Sequence, residues 1–364
     1  MASNVGAIGR RVEKKVRRPF FLVLLFIASL VAACAPMQQR GLRPTALVKP
    51  GFSDAWFTSF DGARLGLNVW RPTAQLGDAD ANANLVIIAV HGMNDYAGAF
   101  NAAGKWWSGH GATVYAYDQR SFGRSPGWMV WPEPELMRRD LKTAVEAARR
   151  EHPGARIAVV GESMGAAVAA TAFAEPNPPP ADALILSGPG FRGWGDLPMA
   201  YSVSLWLSAH MRPAWIVVPP KGVHITATDN NDKLREMWYD PHVQKTNRID
   251  SVYGVVSIME DADKAVAKLP ATVPTLMLYG ANDQVIPAAG VKRAVRKLPA
   301  HVRTAYYAKG YHMLLNDKQA ETVWRDILAF AEEPAAPLPS GAPAIPWVAP
   351  RLAAAQLAQR GAGQ

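Results

Sequence analysis

Gly161-Glu162-Ser163-Met164-Gly165 lies between the apolar run Ile157-Ala158-Val159-Val160 and the small-residue run Ala166-Ala167-Val168-Ala169-Ala170. The first run reads as a strand and the second as a helix, so the five residues between them must turn sharply with a serine at the apex. A turn that tight tolerates only small neighbours two positions away, and both are glycine. The hydroxyl of Ser163 is then held out at the C-terminal edge of a sheet, beside the positive end of a helix. G-x-S-x-G in this context is a nucleophile elbow. The competing reading is a chance glycine-serine turn, and partners elsewhere in the chain decide between the two.

An activated serine needs a base, and the base needs an orienting acid. Thr275 to Gly280 is a continuous apolar run that opens into Ala281-Asn282-Asp283, placing Asp283 just past a strand end. Ala305 to Ala308 is a further strand candidate, followed by Lys309-Gly310-Tyr311-His312. Taken singly, Asp283 could be a turn former and His312 a structural histidine. Together with Ser163 they follow the order serine, acid, histidine, each in a loop beyond a strand, where open α/β sheets place ligands. The other seven histidines lack this placement.

Leu85 to Val90 is a short apolar strand that ends in His91-Gly92-Met93-Asn94-Asp95. With Tyr117-Asp118-Gln119-Arg120-Ser121-Phe122-Gly123-Arg124-Ser125, the elbow, Asp283 and His312, this loop makes the chain resemble the monoacylglycerol lipase and lysophospholipase branch of the α/β-hydrolases, also described as serine aminopeptidase-like. Methionine after the nucleophile is characteristic of that branch. The resemblance runs from about Trp56 to about Glu333. It implies an oxyanion hole made by the backbone N–H groups of Met93 and Met164, with His91 holding the loop. Two positions depart from the pattern. Ser121 stands where glycine is usual and Tyr96 where histidine often follows, both at the mouth of the pocket.

The remaining segments fit an α/β-hydrolase fold, a mostly parallel sheet with helices on both faces and a cap insertion. Ala55 to Asp61 and Ala63 to Trp70 read as strands joined at Asp61-Gly62. Ala112 to Tyr117 and Ala183 to Ser187 are further strands. Pro134 to Glu151, Val291 to Leu298 and Thr322 to Ala331 read as helices. The hydrolase domain is expected over residues 54–333, with a cap at about 191–269. The first half of the cap is rich in apolar residues, among them Met199, Tyr201, Trp206, Met211, Trp215 and Val218. Half of them are expected to pack the cap down; the others would line an acyl pocket or touch lipid. A pocket with few polar groups suits a fatty acyl chain and not a sugar, a phosphate or a charged peptide.

Six Lys or Arg residues precede an apolar run from Phe20 to Ala33, a secretory pattern too short to span a bilayer comfortably. It ends at Leu30-Val31-Ala32-Ala33-Cys34, which resembles a bacterial lipobox. Cys34 is the only cysteine, so an intramolecular disulfide is impossible. The expected organisation is a lipoprotein signal peptide at 1–33, lipidation of Cys34, a tether over 34–53 and a Pro/Ala-rich, disordered tail over 334–364. Ala35 after the cysteine points to the outer membrane, facing the periplasm. An uncleaved anchor or an ordinary signal peptide are the alternatives. Removing the six basic and one acidic residue of positions 1–33 from 39 and 30 leaves 33 and 29, a net charge of +4 instead of +9. That is no case for a nucleic-acid partner.

These features imply a serine carboxylic-ester hydrolase acting on lipid-like esters such as monoacylglycerols or lysophospholipids, held at a membrane by its lipid anchor. No cofactor is expected, and no metal-binding motif is present. A peptidase or acyltransferase on the same triad, or a non-catalytic lipid-binding lipoprotein, are the competing readings.

Overall fold

Leu85–Val90 (β4) is apolar at every position and buried on both faces, as a central strand of a parallel sheet must be. Val86, Ile88 and Val90 join one hydrophobic cluster, and Leu85, Ile87 and Ala89 join another, so the strand divides the core in two. The structure, a computed structural model, describes residues 36–43, 48–72, 84–218, 222 and 224–348. The signal segment, Cys34 and the chain from 349 onward lie outside the described residues.

Nine strands form the main sheet: Gly51–Phe52 (β1), Trp56–Thr58 (β2), Arg64–Trp70 (β3), β4, Ala112–Tyr117 (β5), Arg156–Glu162 (β6), Ala183–Ser187 (β7), Thr275–Gly280 (β10) and Arg303–Tyr307 (β11). Ile216–Val217 (β8) and Asn247–Arg248 (β9) pair separately in the cap. The order is β1-β2-β3-β5-β4-β6-β7-β10-β11. From β5 to β11 every neighbouring pair is parallel, and β1, β2 and β3 add antiparallel strands at one edge. The chain leaves β4 for β5 on one side and returns to β6 on the other. This reversal opens a crevice at the C-terminal ends of β4 and β6, where such sheets bind ligands.

Helices cover both faces. Asn101–Gly109 (α1) and Ala320–Glu332 (α8) pack on the cluster that holds Phe100, Trp107, Ile327 and Phe330. Pro134–Glu151 (α2), Met164–Phe173 (α3) and Ala288–Lys297 (α7) pack on the other. Helix α3 is mostly Ala, Gly and Val and is buried at every position; these small side chains let it run close against the sheet.

The cap insertion carries Met199–Met211 (α4), Asn231–Tyr239 (α5) and Ile249–Ala265 (α6). Helix α6 anchors it, burying Ile258, Met259 and Ala262 towards α3. Only Ala209 is buried in α4, and nothing is in α5. The expectation that half of the cap's apolar residues pack inward therefore overstates its burial.

Both ends of the domain differ from the expected boundaries. Gln39 bonds to Trp131, and β1 pairs with β2, so ordered chain begins before residue 54. The expectation of a disordered tail from 334 is corrected over 334–348. Ile345 is fully buried, Trp347 sits edge-on to Tyr279 and Tyr306, and Tyr306 donates its backbone N–H to the carbonyl of Pro343. Isolated apolar residues among prolines show no periodicity, but Ile345 joins the core and Trp347 packs against it.

Candidate active site

Ser163 ends β6 and precedes α3 with φ 53° and ψ −114°, a left-handed backbone conformation that is unfavourable for a residue with a side chain. The glycines on either side show why the turn closes. A Cβ on Gly161 would lie 2.7 Å from Ala166 Cα, and one on Gly165 would lie 2.1 Å from the carbonyl oxygen of Val90. Neither position can hold a larger residue without pushing α3 off the sheet.

The three residues singled out in the sequence meet at this turn. The Oγ of Ser163 is 2.9 Å from Nε2 of His312, and Nδ1 of His312 is 2.8 Å from Oδ2 of Asp283. The second carboxylate oxygen of Asp283 accepts the backbone N–H groups of Val285 and Ile286, each at 2.8 Å. The carboxylate is therefore fixed on both sides. Donation from Nδ1 to Asp283 leaves the Nε2 lone pair for the serine hydroxyl, the tautomer a general base requires. The histidine loop is pinned as well: Tyr311 donates its N–H to Asp317 at 2.8 Å, and Met313 donates to Ala227 of the cap at 2.9 Å.

Met164 occupies the first position of α3, where a backbone N–H has no acceptor within the helix. Met93 lines the same cavity as Ser163 and Met164, so both expected oxyanion donors border the nucleophile. His91 holds their loop. Its Nε2 accepts the N–H of Gln119 at 2.8 Å, which makes Nδ1 the donor to the carbonyl of Gly92 at 2.7 Å. Burial pushes its pKa down to about 4, so the ring stays neutral and this bonding pattern persists at neutral pH.

Several buried ionisable groups around the site carry no signal in the sequence. Arg120 is enclosed by two carboxylates, with Asp61 at 2.8 Å and Asp140 at 2.7 Å. The three residues come from the loop after β5, the β2–β3 turn and α2. The sequence marks Asp61 only as a turn residue. Glu162, beside the nucleophile, is buried with one carboxylate oxygen unpartnered among the described residues. Burial pushes its pKa up to about 8, and the charge of Asp95 adds to the rise. The two departures from the family pattern touch the cap: Tyr96 donates to Asp240 at 2.7 Å, and the Ser121 carbonyl accepts from the side chain of Gln244.

The serine opens into a cavity of about 240 Å³ whose lining includes Leu197, Val255, Val256, Met259 and Ile286. A larger cavity of about 640 Å³ lies within the cap and shares Arg192, Leu197 and Val256 with the first. The shared residues make the two cavities neighbours, one at the nucleophile and one in the cap. The arrangement of strand-end serine, hydrogen-bonded histidine and largely apolar cleft can carry acyl transfer. Among the described residues no cluster of three His, Cys, Asp or Glu is placed to hold a metal ion.

Comparison with known proteins extends this geometry. A monoacylglycerol lipase of Mycolicibacterium smegmatis is 25% identical over 283 residues, covering 76% of this chain and 96% of that protein. The Homo sapiens monoglyceride lipase is 23% identical over 70% of this chain and 81% of its own length. Among solved structures, the Paleococcus ferrophilus monoacylglycerol lipase superposes with a TM-score of 0.60 at 21% identity, over 73% of this chain and 98% of that one. A soluble variant of monoglyceride lipase from Saccharomyces cerevisiae, in complex with a substrate analog, gives 0.62 at 16% identity, over 80% and 98%. These likenesses establish the shared fold. The family described as serine aminopeptidase, S33, matches residues 81–319, about two thirds of the sequence. The chain belongs to this family of α/β-fold serine hydrolases.

Proposed function

We propose that the protein hydrolyses carboxylic esters of lipid-like substrates, monoacylglycerols or lysophospholipids, through Ser163, His312 and Asp283. The observation that carries this reading is the hydrogen-bonded line from Asp283 through His312 to Ser163, opening into a mostly apolar cavity beside a larger one in the cap. The lipase names of the relatives support it. A charged peptide would find few partners in such a lining.

The chemistry follows from the contacts. His312 Nε2 takes the hydroxyl proton as Ser163 Oγ bonds to the ester carbon. The carbonyl oxygen becomes an oxyanion facing the N–H groups of Met93 and Met164. The bond to the alcohol breaks, and the alcohol leaves with the proton held by His312. Water then attacks the acyl-enzyme with His312 again as base, releasing the fatty acid and restoring Ser163. Asp283 orients the ring throughout and stabilises its protonated form.

Ser163→Ala is expected to lower turnover of p-nitrophenyl esters by about 10⁴-fold or more. Wild-type protein should react with a fluorophosphonate probe and the variant should not. An unlabelled wild type, or turnover that survives the substitution, would remove the basis of this reading. A panel of glycerol esters, lysolipids and aminoacyl amides then separates lipase from peptidase activity. Lipidation at Cys34 and a place at the outer membrane belong to the same proposal, on the lipobox-like sequence. Cys34→Ser should shift the protein from the membrane fraction to the soluble one; unchanged partitioning would refute the anchor.

A further inference from the structure

The cap cavity is not wholly apolar. Arg192 follows the end of β7 by five residues and lines both the catalytic cavity and the cap cavity. Its neighbours hold it close to the nucleophile. The N–H of Gly190 donates to the carbonyl of Ser163 at 3.1 Å, and Phe191 is fully buried. Arg192 is half-buried, and its side chain makes no hydrogen bond or ion pair with any described residue.

Unpaired guanidinium groups are common on open surfaces, but this one lines a cavity walled by Leu197, Val252, Val256 and Ile249. Holding a cation against apolar walls is unfavourable without a counter-charge. The carboxylates of the surrounding cap are already engaged. Asp196 is held by Arg293 through two contacts of 2.5 and 2.7 Å, and Asp263 pairs with Lys297 at 2.6 Å. Glu260 pairs with Lys264 at 3.2 Å and accepts the N–H of Trp194 at 3.0 Å, while Asp250 pairs with Arg248 at 2.6 Å. Arg192 feels the charge of Asp196, which Arg293 already engages, and forms no ion pair of its own among the described residues.

We infer that Arg192 is a recognition residue for an anionic group, a carboxylate or phosphate, carried by an amphiphile whose alkyl chain occupies the cap cavity. The flat guanidinium matches both groups with two parallel hydrogen bonds. The inference rests on the ester-hydrolase reading and deepens it. Two sources supply such an anion: a phosphate in the head group of a monoacyl substrate, or the fatty-acid carboxylate that hydrolysis itself releases. The expectation of a cap unsuited to phosphate is reversed at this one position, because an isolated arginine in a glycine-rich stretch gives no hint of where its head lies.

Isothermal titration of the full chain with decyl phosphate, decanoate and the uncharged 1-decylglycerol ether tests it, since none of the three can be hydrolysed. Both anions should bind at least tenfold more tightly than the ether. Arg192→Gln and Arg192→Met should bring the three within about twofold, and Arg192→Lys should keep a preference for the anions. Circular dichroism confirms that each variant is folded. Tighter binding of the phosphate points to a substrate head group, and equal or tighter binding of decanoate points to the released acid. Wild-type protein with no preference for anions overturns the inference without recourse to any variant, as does a preference that survives in folded Arg192→Gln. Measuring p-nitrophenyl ester turnover by the wild-type protein alongside the titration separates the two readings. Arg192-dependent binding by a wild-type protein that turns over no ester sinks the catalytic reading alone, and an active esterase indifferent to charge sinks only this one.

Discussion

Below the sheet edge, Arg120 is 1% exposed and closed in by Asp61 and Asp140, while every residue of α3 is buried. Across the cleft, Met199, Tyr201, Met211, Trp238 and Tyr239 of the cap expose 69–82% of their surfaces. The floor keeps the line from Ser163 to Asp283 within hydrogen-bond reach, which demands close packing and satisfied charges. The cap rests on α6 and on polar ties, such as Tyr96 to Asp240, Gln244 to Asn94, Met313 to Ala227 and Arg293 to Asp196, more than on buried apolar surface in α4 and α5. Elements with so little buried surface are the first to open locally. The molecule thus joins a rigid reaction edge to a loosely held cover, and the apolar surface of the cover is largely unspent on folding.

The comparison breaks most readily at Arg120. Arg120→Met strands two carboxylates that now share one guanidinium, and such a loss costs about 3–5 kcal/mol. Urea unfolding should show this as a lower midpoint with an unchanged slope. A change below about 1 kcal/mol would mean that the floor relaxes or admits water, and the contrast with the cap would lose its basis.

Most of the reaction edge was legible because it rests on local patterns. Leu85–Val90 and Thr275–Gly280 are unbroken apolar runs, Pro134–Glu151 has helical spacing, and the turns after them place Ser163, Asp283 and His312 in order. Whatever depends on distant pairing was not. Arg120 is 59 residues from Asp61 and 20 from Asp140, and no spacing rule links them. Ile345 and Trp347 sit among prolines, and their burial depends on a groove built by other segments. The cap misled in the opposite sense. Hydrophobicity along α4 suggests burial, but its apolar residues surround the whole helix, and one face cannot take them all.

A second test reads the floor through pH. Glu162 titrates near 8 in the folded protein against an ordinary value of 4.5, because it is buried. Between those values the native state retains a proton that the unfolded chain has released. Its contribution to stability is therefore greatest below about pH 4.5 and falls as pH rises towards 8. Asp95, pushed up to about 6 by burial, adds a slope of the same sign at lower pH. Glu162→Gln keeps the shape without the titration and should remove up to about 1.4 kcal/mol of slope per pH unit across that window. Parallel pH profiles for variant and wild type would show that the carboxylate finds a partner or water, and the floor would be wetter than its packing implies.

The smallest effect is expected on the cap's outer face, where it is the most discriminating. Trp238 is 70% exposed on α5, a helix without a single buried residue. Replacing it with serine removes little packing, so folding stability should change by no more than about 0.5 kcal/mol. The same change at a buried tryptophan such as Trp131 would cost several-fold more. Thermal unfolding of Trp238→Ser decides the point. A loss above about 1.5 kcal/mol would show that α5 packs against other parts of the chain, and the cap would then be a second core and no longer a loosely held cover.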